Sequence, residues 1–117
     1  MNRGVFVTPG LLVMKFGGTS VGGADRISGA AALIAEARRE RPVVAVVSAM
    51  SKVTDALLDT MRRAEAGDRA GMDANIAQIE LRHVEVCRAL FPADRQAPIL
   101  AGLHARLEDF RDRKSVV

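Results

Sequence analysis

The chain has 117 residues, of which 49% are apolar and 26% are charged, a composition typical of a folded globular domain and not of a disordered segment. The net charge of +3 comes from basic residues interspersed with acids, and the four phenylalanines are its sole aromatic residues, so we expect no nucleic-acid partner. A single cysteine excludes an internal disulfide, and Pro9 and Lys15 interrupt the apolar stretches near the N-terminus, so we expect a cytoplasmic protein without a membrane partner.

Two short apolar runs in the first half of the chain predict strands. Residues 1–10 have the composition of an irregular lead-in, and residues 11–16 form an apolar run closed by glycines, which favours a strand buried on both faces. Apolar residues recur at helical spacing over residues 24–40, and Pro42 ends this predicted helix. Val43–Val47 is β-branched at four of five positions, so we predict a second strand, also covered on both faces and parallel to the first.

Three further helices are predicted after the second strand. The first of them ends at Gly67 and has apolar residues on one face: Leu57, Leu58, Met61 and Ala64. The next spans about residues 73–91, and the last begins near Pro98, because proline suits the first turn of a helix. His83 and Cys87 share the apolar stripe of the middle helix, and we interpret them as packing residues because no complete metal-ligand set lies near them.

The resulting order, β-α-β-α-α-α, predicts an α/β fold with the two strands joined by a right-handed helical crossover. Two strands are too few for a sheet that buries both of its faces, because independently stable sheets need more neighbours. The pattern therefore indicates the front part of a larger α/β domain, with residues 11–117 as its N-terminal portion.

The end of the first predicted strand has the composition of an anion site. Lys15 supplies a positive charge, and Gly17 and Gly18 leave backbone amides accessible to a ligand because they have no side chain. The hydroxyls of Thr19 and Ser20 can donate to phosphate oxygens or cap the following helix. The same spacing has an alternative interpretation, in which the glycines make a tight turn and the lysine is solvated.

Ser48 follows the second predicted strand. Ligands of open α/β sheets bind at the carboxyl ends of adjacent strands, so we expect its hydroxyl at the same edge as the glycines. The named phosphate loops do not fit this sequence. Gly17 and Gly22 have the P-loop spacing, but Gly23 and Ala24 stand where lysine and a hydroxyl residue are required, and the dinucleotide pattern G-x-G-x-x-G is absent.

The sequence resembles the N-terminal part of aspartokinases, which are amino-acid kinases. Three strings carry the resemblance in order and spacing: KFGGTSV at 15–21, VSAM at 47–50 and TDALL at 54–58. The resemblance implies an αβα sandwich with a mainly parallel sheet, of which this chain is an incomplete part. Sister kinases that act on glutamate, acetylglutamate, carbamate or uridine monophosphate share the strand-lysine-glycine plan, so another acceptor stays open as an alternative.

The resemblance also implies an activity and its residues. Aspartokinases transfer the γ-phosphoryl group of ATP to the side-chain carboxylate of L-aspartate, at the head of lysine, threonine and methionine biosynthesis. By this resemblance Lys15 is catalytic, Ser48 and Thr54 bind aspartate, and ATP is bound by Lys15 and Ser48 together with the residues of the glycine turn: Phe16, Gly17, Gly18, Thr19 and Ser20. Mg²⁺ would be held mainly through the nucleotide, with no metal ligand in this chain, and the full-length protein would be a homo-oligomer.

The family's later elements do not occur within these 117 residues. They include a Gly-Glu motif, a substrate-binding arginine, the adenine-binding segment and the regulatory ACT domains. We therefore expect the isolated chain to have no aspartokinase activity. A non-catalytic, truncated product is the remaining alternative.

Overall fold

The computed structural model describes residues 10–114, which form two strands, four α-helices and one short 3-10 helix. In chain order these are β1 Leu12–Phe16, the 3-10 helix Gly18–Val21, α1 Ala24–Arg38, β2 Val43–Val47, α2 Val53–Glu65, α3 Arg69–Leu90 and α4 Ala93–Lys114. The chain divides into two compact units, Met1–Met50 and Ser51–Val117. The predicted α/β class is confirmed, whereas the predicted lead-in lies outside the described residues except for Gly10.

The first unit contains a two-stranded parallel sheet. β1 and β2 pair in register, with Leu12 opposite Val43 and Phe16 opposite Val47. Helix α1 connects the two strands, which is the crossover that parallel neighbours require. The carboxyl ends of both strands therefore lie at the same edge of the sheet.

One face of β1 is covered and its other face is open, whereas β2 is largely exposed on both faces. Phe16 packs with Val21 of the 3-10 helix and Ala30 of α1 in a buried cluster. On the opposite face, Val13 is 59% exposed and Val44 is 46% exposed. The prediction that both strands are buried on both faces is therefore wrong for the described residues, because α1 covers β1 on one side and leaves Val44 and Val47 of β2 exposed on opposite faces. An incomplete αβα sandwich has this arrangement.

The second unit is built from the three remaining helices. Its buried core comes from α3 and α4: Met72, Ile76, Ile79 and Leu107. Leu57 and Ala64 of α2 pack against this core, as predicted, but Leu58 and Met61 are each 44% exposed. The centre of the buried face of α2 is instead Thr60, which is fully buried and donates its hydroxyl to a backbone carbonyl of the preceding turn at 2.7 Å. A polar residue in a buried stripe shifts the apolar pattern, which explains the difference.

Two helices begin earlier than the sequence predicts. α3 begins at Arg69 because the side chain of Asp68 caps it, accepting a hydrogen bond from the amide of Gly71 at 2.9 Å. α4 begins at Ala93, so Pro98 lies inside the helix and not in its first turn. As the sixth residue of α4, Pro98 has no amide hydrogen to donate to the carbonyl of Asp94, so the helix lacks one intrahelical hydrogen bond there.

A polar network links α2 to the start of α3. Asp59 accepts hydrogen bonds from the Nε of Arg63 and from the side-chain amide of Asn75, each at 2.8 Å. Arg63 also donates to Asp68 at 2.9 Å. The hydrogen bonds from Arg63 and then Asn75 lower the pKa of Asp59. The amide of Gly71, followed by Arg63, lowers the pKa of Asp68.

These two carboxyls make stability depend on pH in acid. Because each pKa is lower in the folded state, their stabilising contribution is present above the unfolded pKa of about 3.9 and is lost as the pH falls through the folded values. We expect the free energy of unfolding in urea to decrease between pH 5 and pH 2, and Asp59→Asn to flatten this decrease. The matched control is Glu85→Gln, an exposed acid on α3. Equal pH dependence in the two variants would contradict the prediction.

Candidate active site

Lys15 lies one residue before the end of β1, and its side chain is exposed. Side chains alternate along a strand, so Lys15 points to the open face of the sheet, opposite to the buried Phe16. Its pairing partner across the sheet is Val46. Within residues 10–114, no carboxylate forms an ion pair with Lys15. Its positive charge is therefore available to an anionic ligand.

Gly17 begins the turn after β1 in an extended conformation, with φ −76° and ψ 176°, which any residue can adopt. A Cβ atom added at Gly17 would meet no atom of the described residues within 4 Å beyond its chain neighbours. Neither the backbone conformation nor the packing of the described residues requires glycine at this position. The tight-turn interpretation therefore has no support at Gly17, and the space beside its backbone is open.

The glycine turn continues into the 3-10 helix Gly18–Val21. Its first internal bond runs from the amide of Ser20 to the carbonyl of Gly17 at 3.0 Å. The amides at the start of a helix have no acceptor inside it, so they are directed outwards. The side chains of Thr19 and Ser20 are exposed, and Val21 anchors the turn in the buried cluster. The turn thus offers amides and hydroxyls while a single apolar residue fixes its position.

Ser48 follows β2 and lies beside the glycine turn. Its amide donates to the carbonyl of Phe16 at 3.0 Å, and its side chain is exposed. The structure therefore brings together the ends of β1 and β2, with Lys15, Gly17 and Ser48 at one edge of the sheet. The ring of Phe16 is buried, so Phe16 offers a ligand its main chain and not its side chain.

Thr54 belongs to the second unit, as the second residue of α2, and is exposed. The helix is preceded by Lys52, which has a left-handed backbone conformation with φ 69°. The guanidinium of Arg82 donates to the carbonyl of Ser51, and its second nitrogen lies 3.4 Å from the Ser51 hydroxyl. Sequence reasoning missed Arg82, because this contact joins residues 31 positions apart and a lone arginine on a helix has no local pattern.

The interpretation of His83 and Cys87 as packing residues agrees with their environments. Cys87 is buried, and His83 is half-buried with its Nδ1 2.7 Å from the carbonyl oxygen of Ile79. That nitrogen donates to the carbonyl when it is protonated. Among the described residues, no group of three histidine, cysteine or acidic side chains is placed to hold a metal ion.

The profile of the Amino acid kinase family matches residues 10–97, which include β1, the glycine turn and β2. The chain belongs to the amino acid kinase family. The match also accounts for the incomplete αβα arrangement, in which α1 packs against a short parallel sheet.

Named relatives of this amino acid kinase chain are aspartokinases. It is 40% identical over 99 residues to bifunctional aspartokinase/homoserine dehydrogenase 2 of Arabidopsis thaliana, covering 85% of this chain and 11% of that protein. It is 50% identical over 58 residues to an aspartokinase of Bacillus sp. MGA3, covering 49% of this chain and 14% of the relative. It is 56% identical over 50 residues to aspartokinase 2 of Bacillus subtilis, covering 42% of this chain and 12% of that protein.

The resemblance to aspartokinases that the motifs indicate is therefore confirmed, over a part of each relative. The chain spans 11–14% of the length of these three proteins. None of the helices within residues 10–114 combines the length and apolar character needed to cross a membrane.

Proposed function

We propose that this chain supplies the phosphate-binding part of an aspartate kinase, an enzyme that transfers the γ-phosphoryl group of ATP to the β-carboxylate of L-aspartate. One observation supports it above others. The end of β1 presents Lys15, which has no ion-pair partner among residues 10–114, and an open Gly17 next to Ser48, at the edge where parallel sheets bind ligands. The aspartokinases among the relatives support aspartate as the acceptor.

The proposed chemistry is positioning and charge neutralisation. In phosphoryl transfer negative charge spreads over the equatorial oxygens, so cations and amides aimed at them lower the barrier. Lys15 would contact the transferring group, and the amides of Gly17 and Gly18 would hold phosphate oxygens, with Thr19 and Ser20 adding hydroxyl donors. The aspartate carboxylate is already ionised near pH 7, so the reaction needs no general base.

The acceptor would be held by hydroxyls. Ser48 would lie at the junction of nucleotide and aspartate, and Thr54 would donate to aspartate. Mg²⁺, bound mainly through the nucleotide, would supply further neutralising charge, and the exposed Lys15 and glycine turn would face the triphosphate. The reaction would serve lysine, threonine and methionine biosynthesis in the cytoplasm, in a protein that assembles as a homo-oligomer.

The preference of the enzyme among phosphoryl acceptors tests this proposal. The product of the complete open reading frame is assayed for ADP release with MgATP and L-aspartate, L-glutamate or N-acetylglutamate. Glutamate differs from aspartate by one methylene, which a binding pocket discriminates by about 10–200-fold. We expect kcat/KM for aspartate to exceed that for glutamate within this range. A higher value with another acceptor would support a different amino acid kinase and contradict the proposal.

A second test uses the 117-residue chain alone, for which we expect no activity. These residues correspond to 11–14% of the length of the three named aspartokinases. We expect no aspartyl hydroxamate when the chain is incubated alone with MgATP, aspartate and hydroxylamine. Hydroxamate formation by this chain would contradict the division of the site that we propose.

A further inference from the structure

We infer that Arg82 is a positioning residue for the acceptor, because it holds the turn from which α2 presents Thr54. We call residues 51–53 the α2 entry turn. The inference rests on the proposed function, since the acceptor role of Thr54 belongs to it. Arg82 itself does not touch the reacting groups.

Two contacts join Arg82 to one residue of the α2 entry turn. Its guanidinium donates to the carbonyl of Ser51, and its other terminal nitrogen lies 3.4 Å from the Ser51 hydroxyl. Arg82 is half-buried on α3, so water competes less for these donors than at an open surface. Hydrogen bonds from a charged donor are stronger than neutral ones, and two donors from one planar group fix orientation as well as distance.

The α2 entry turn needs such a restraint. Lys52 has φ 69° and ψ −1°, a left-handed conformation that is rare for residues other than glycine, asparagine and aspartate. Among the described residues, no side chain caps α2 at this position. Two features hold the turn on the side of α2. They are the buried side chain of Val53 and the hydrogen bond that the amide of Ala56 donates to the carbonyl of Lys52 at 3.0 Å.

Arg82 supplies the restraint on the other side of Lys52. Without it, the backbone at Lys52 is free to relax towards a more common conformation, and the first turn of α2 moves with it. Thr54 is the second residue of that helix and is exposed, so its hydroxyl position follows the turn directly. The proposed phosphate contacts are on β1 and its glycine turn, which belong to the other compact unit.

Limited trypsin digestion tests the structural half of this inference. Trypsin cleaves after Lys52, which is exposed, and cleavage after the exposed Arg106 of α4 reports general unfolding. We expect Arg82→Ala to raise the rate of cleavage after Lys52 relative to Arg106 by about tenfold, the effect of losing a charged hydrogen bond. Arg82→Lys, which retains one donor, should give an intermediate rate, and Arg88→Ala is the control from the same helix.

Steady-state kinetics test the functional half, in the product of the complete open reading frame. We expect Arg82→Ala to raise KM for L-aspartate by about tenfold while KM for MgATP changes less than about twofold. Arg82→Lys should recover part of the loss. A variant that has merely lost stability would instead show fewer active molecules with both KM values unchanged.

The outcomes separate the two proposals. Unchanged cleavage at Lys52 in Arg82→Ala would overturn the restraint, whatever the acceptor is. Faster cleavage with an unchanged KM for aspartate, or with equal rises in both KM values, would overturn the positioning role. If the unsubstituted protein phosphorylates a different acceptor, the proposed function fails, and the cleavage rates still decide whether Arg82 holds the turn.

Discussion

Replacing Lys15 by methionine is expected to lower kcat for aspartate phosphorylation by about 10²–10³-fold, the usual cost of removing one group aimed at developing negative charge. Methionine matches the length of lysine closely but carries no charge. Lys15 is exposed and forms no ion pair within the described residues, so the fold does not depend on it. Thermal denaturation and the kinetics of ADP release, in the product of the complete open reading frame, measure the two effects separately.

The control for Lys15→Met is Arg38→Met, which removes an exposed positive charge from the end of α1 in the same unit. We expect this control to retain full kcat. Lys15→Arg keeps the positive charge but changes the shape of the charged group, so its kcat should lie between those of Lys15→Met and Arg38→Met. Normal kcat in Lys15→Met would contradict the role of Lys15, and a large loss in Arg38→Met would show that general surface charge is responsible.

Replacing Gly17 by alanine is expected to reduce kcat/KM for MgATP by about 10²-fold, because a methyl group would displace the phosphate from its amides. Stability should change by no more than about 0.5 kcal/mol, since the conformation of Gly17 suits any residue and a Cβ meets no described atom within 4 Å. A loss of kcat/KM for MgATP without a loss of stability distinguishes two reasons for a glycine at this position. A glycine kept for a turn would lose stability on substitution, whereas a glycine kept for a ligand would lose binding alone.

Gly29 provides the matched comparison for Gly17→Ala. It lies inside α1 in the same unit, and a Cβ there also meets no described atom within 4 Å beyond the backbone of its own helix. Because alanine is a better helix former, Gly29→Ala should stabilise the protein by about 0.5–1 kcal/mol and leave MgATP kinetics unchanged. If Gly17→Ala leaves kcat/KM for MgATP unchanged, no phosphate approaches the turn as closely as we propose.

The sequence predicts the strands and helices of this fold better than it predicts what packs against them. β-branched residues and the terminal glycines locate both strands, and the helical crossover requires them to be parallel. The prediction that both strand faces are buried is wrong, because a run such as Val43–Val47 indicates which surroundings suit a strand and not whether the described residues supply them. Two helix starts differ from the prediction, because Asp68 caps α3 at an earlier residue and α4 begins at Ala93 with Pro98 inside it.

The candidate site likewise contains residues that the sequence predicts and residues that it does not. Lys15, Gly17 and Ser48 are predictable because strand ends in a parallel sheet meet at one edge, and the bond between Ser48 and Phe16 shows that they do. Arg82 is not predictable, because its partner Ser51 is distant in sequence and is bound through the backbone. The buried Thr60 is hidden for a related reason, since its hydroxyl is satisfied inside its own helix.

The most direct test of this account is a structure of the product of the complete open reading frame with Mg²⁺, a non-hydrolysable ATP analogue and L-aspartate. We expect the Nζ of Lys15 within about 3 Å of an oxygen of the β- or γ-phosphate, with the amides of Gly17 and Gly18 directed at the same groups. A triphosphate bound at another edge of the sheet, with Lys15 in solvent and out of hydrogen-bonding reach of every phosphate oxygen, would contradict it.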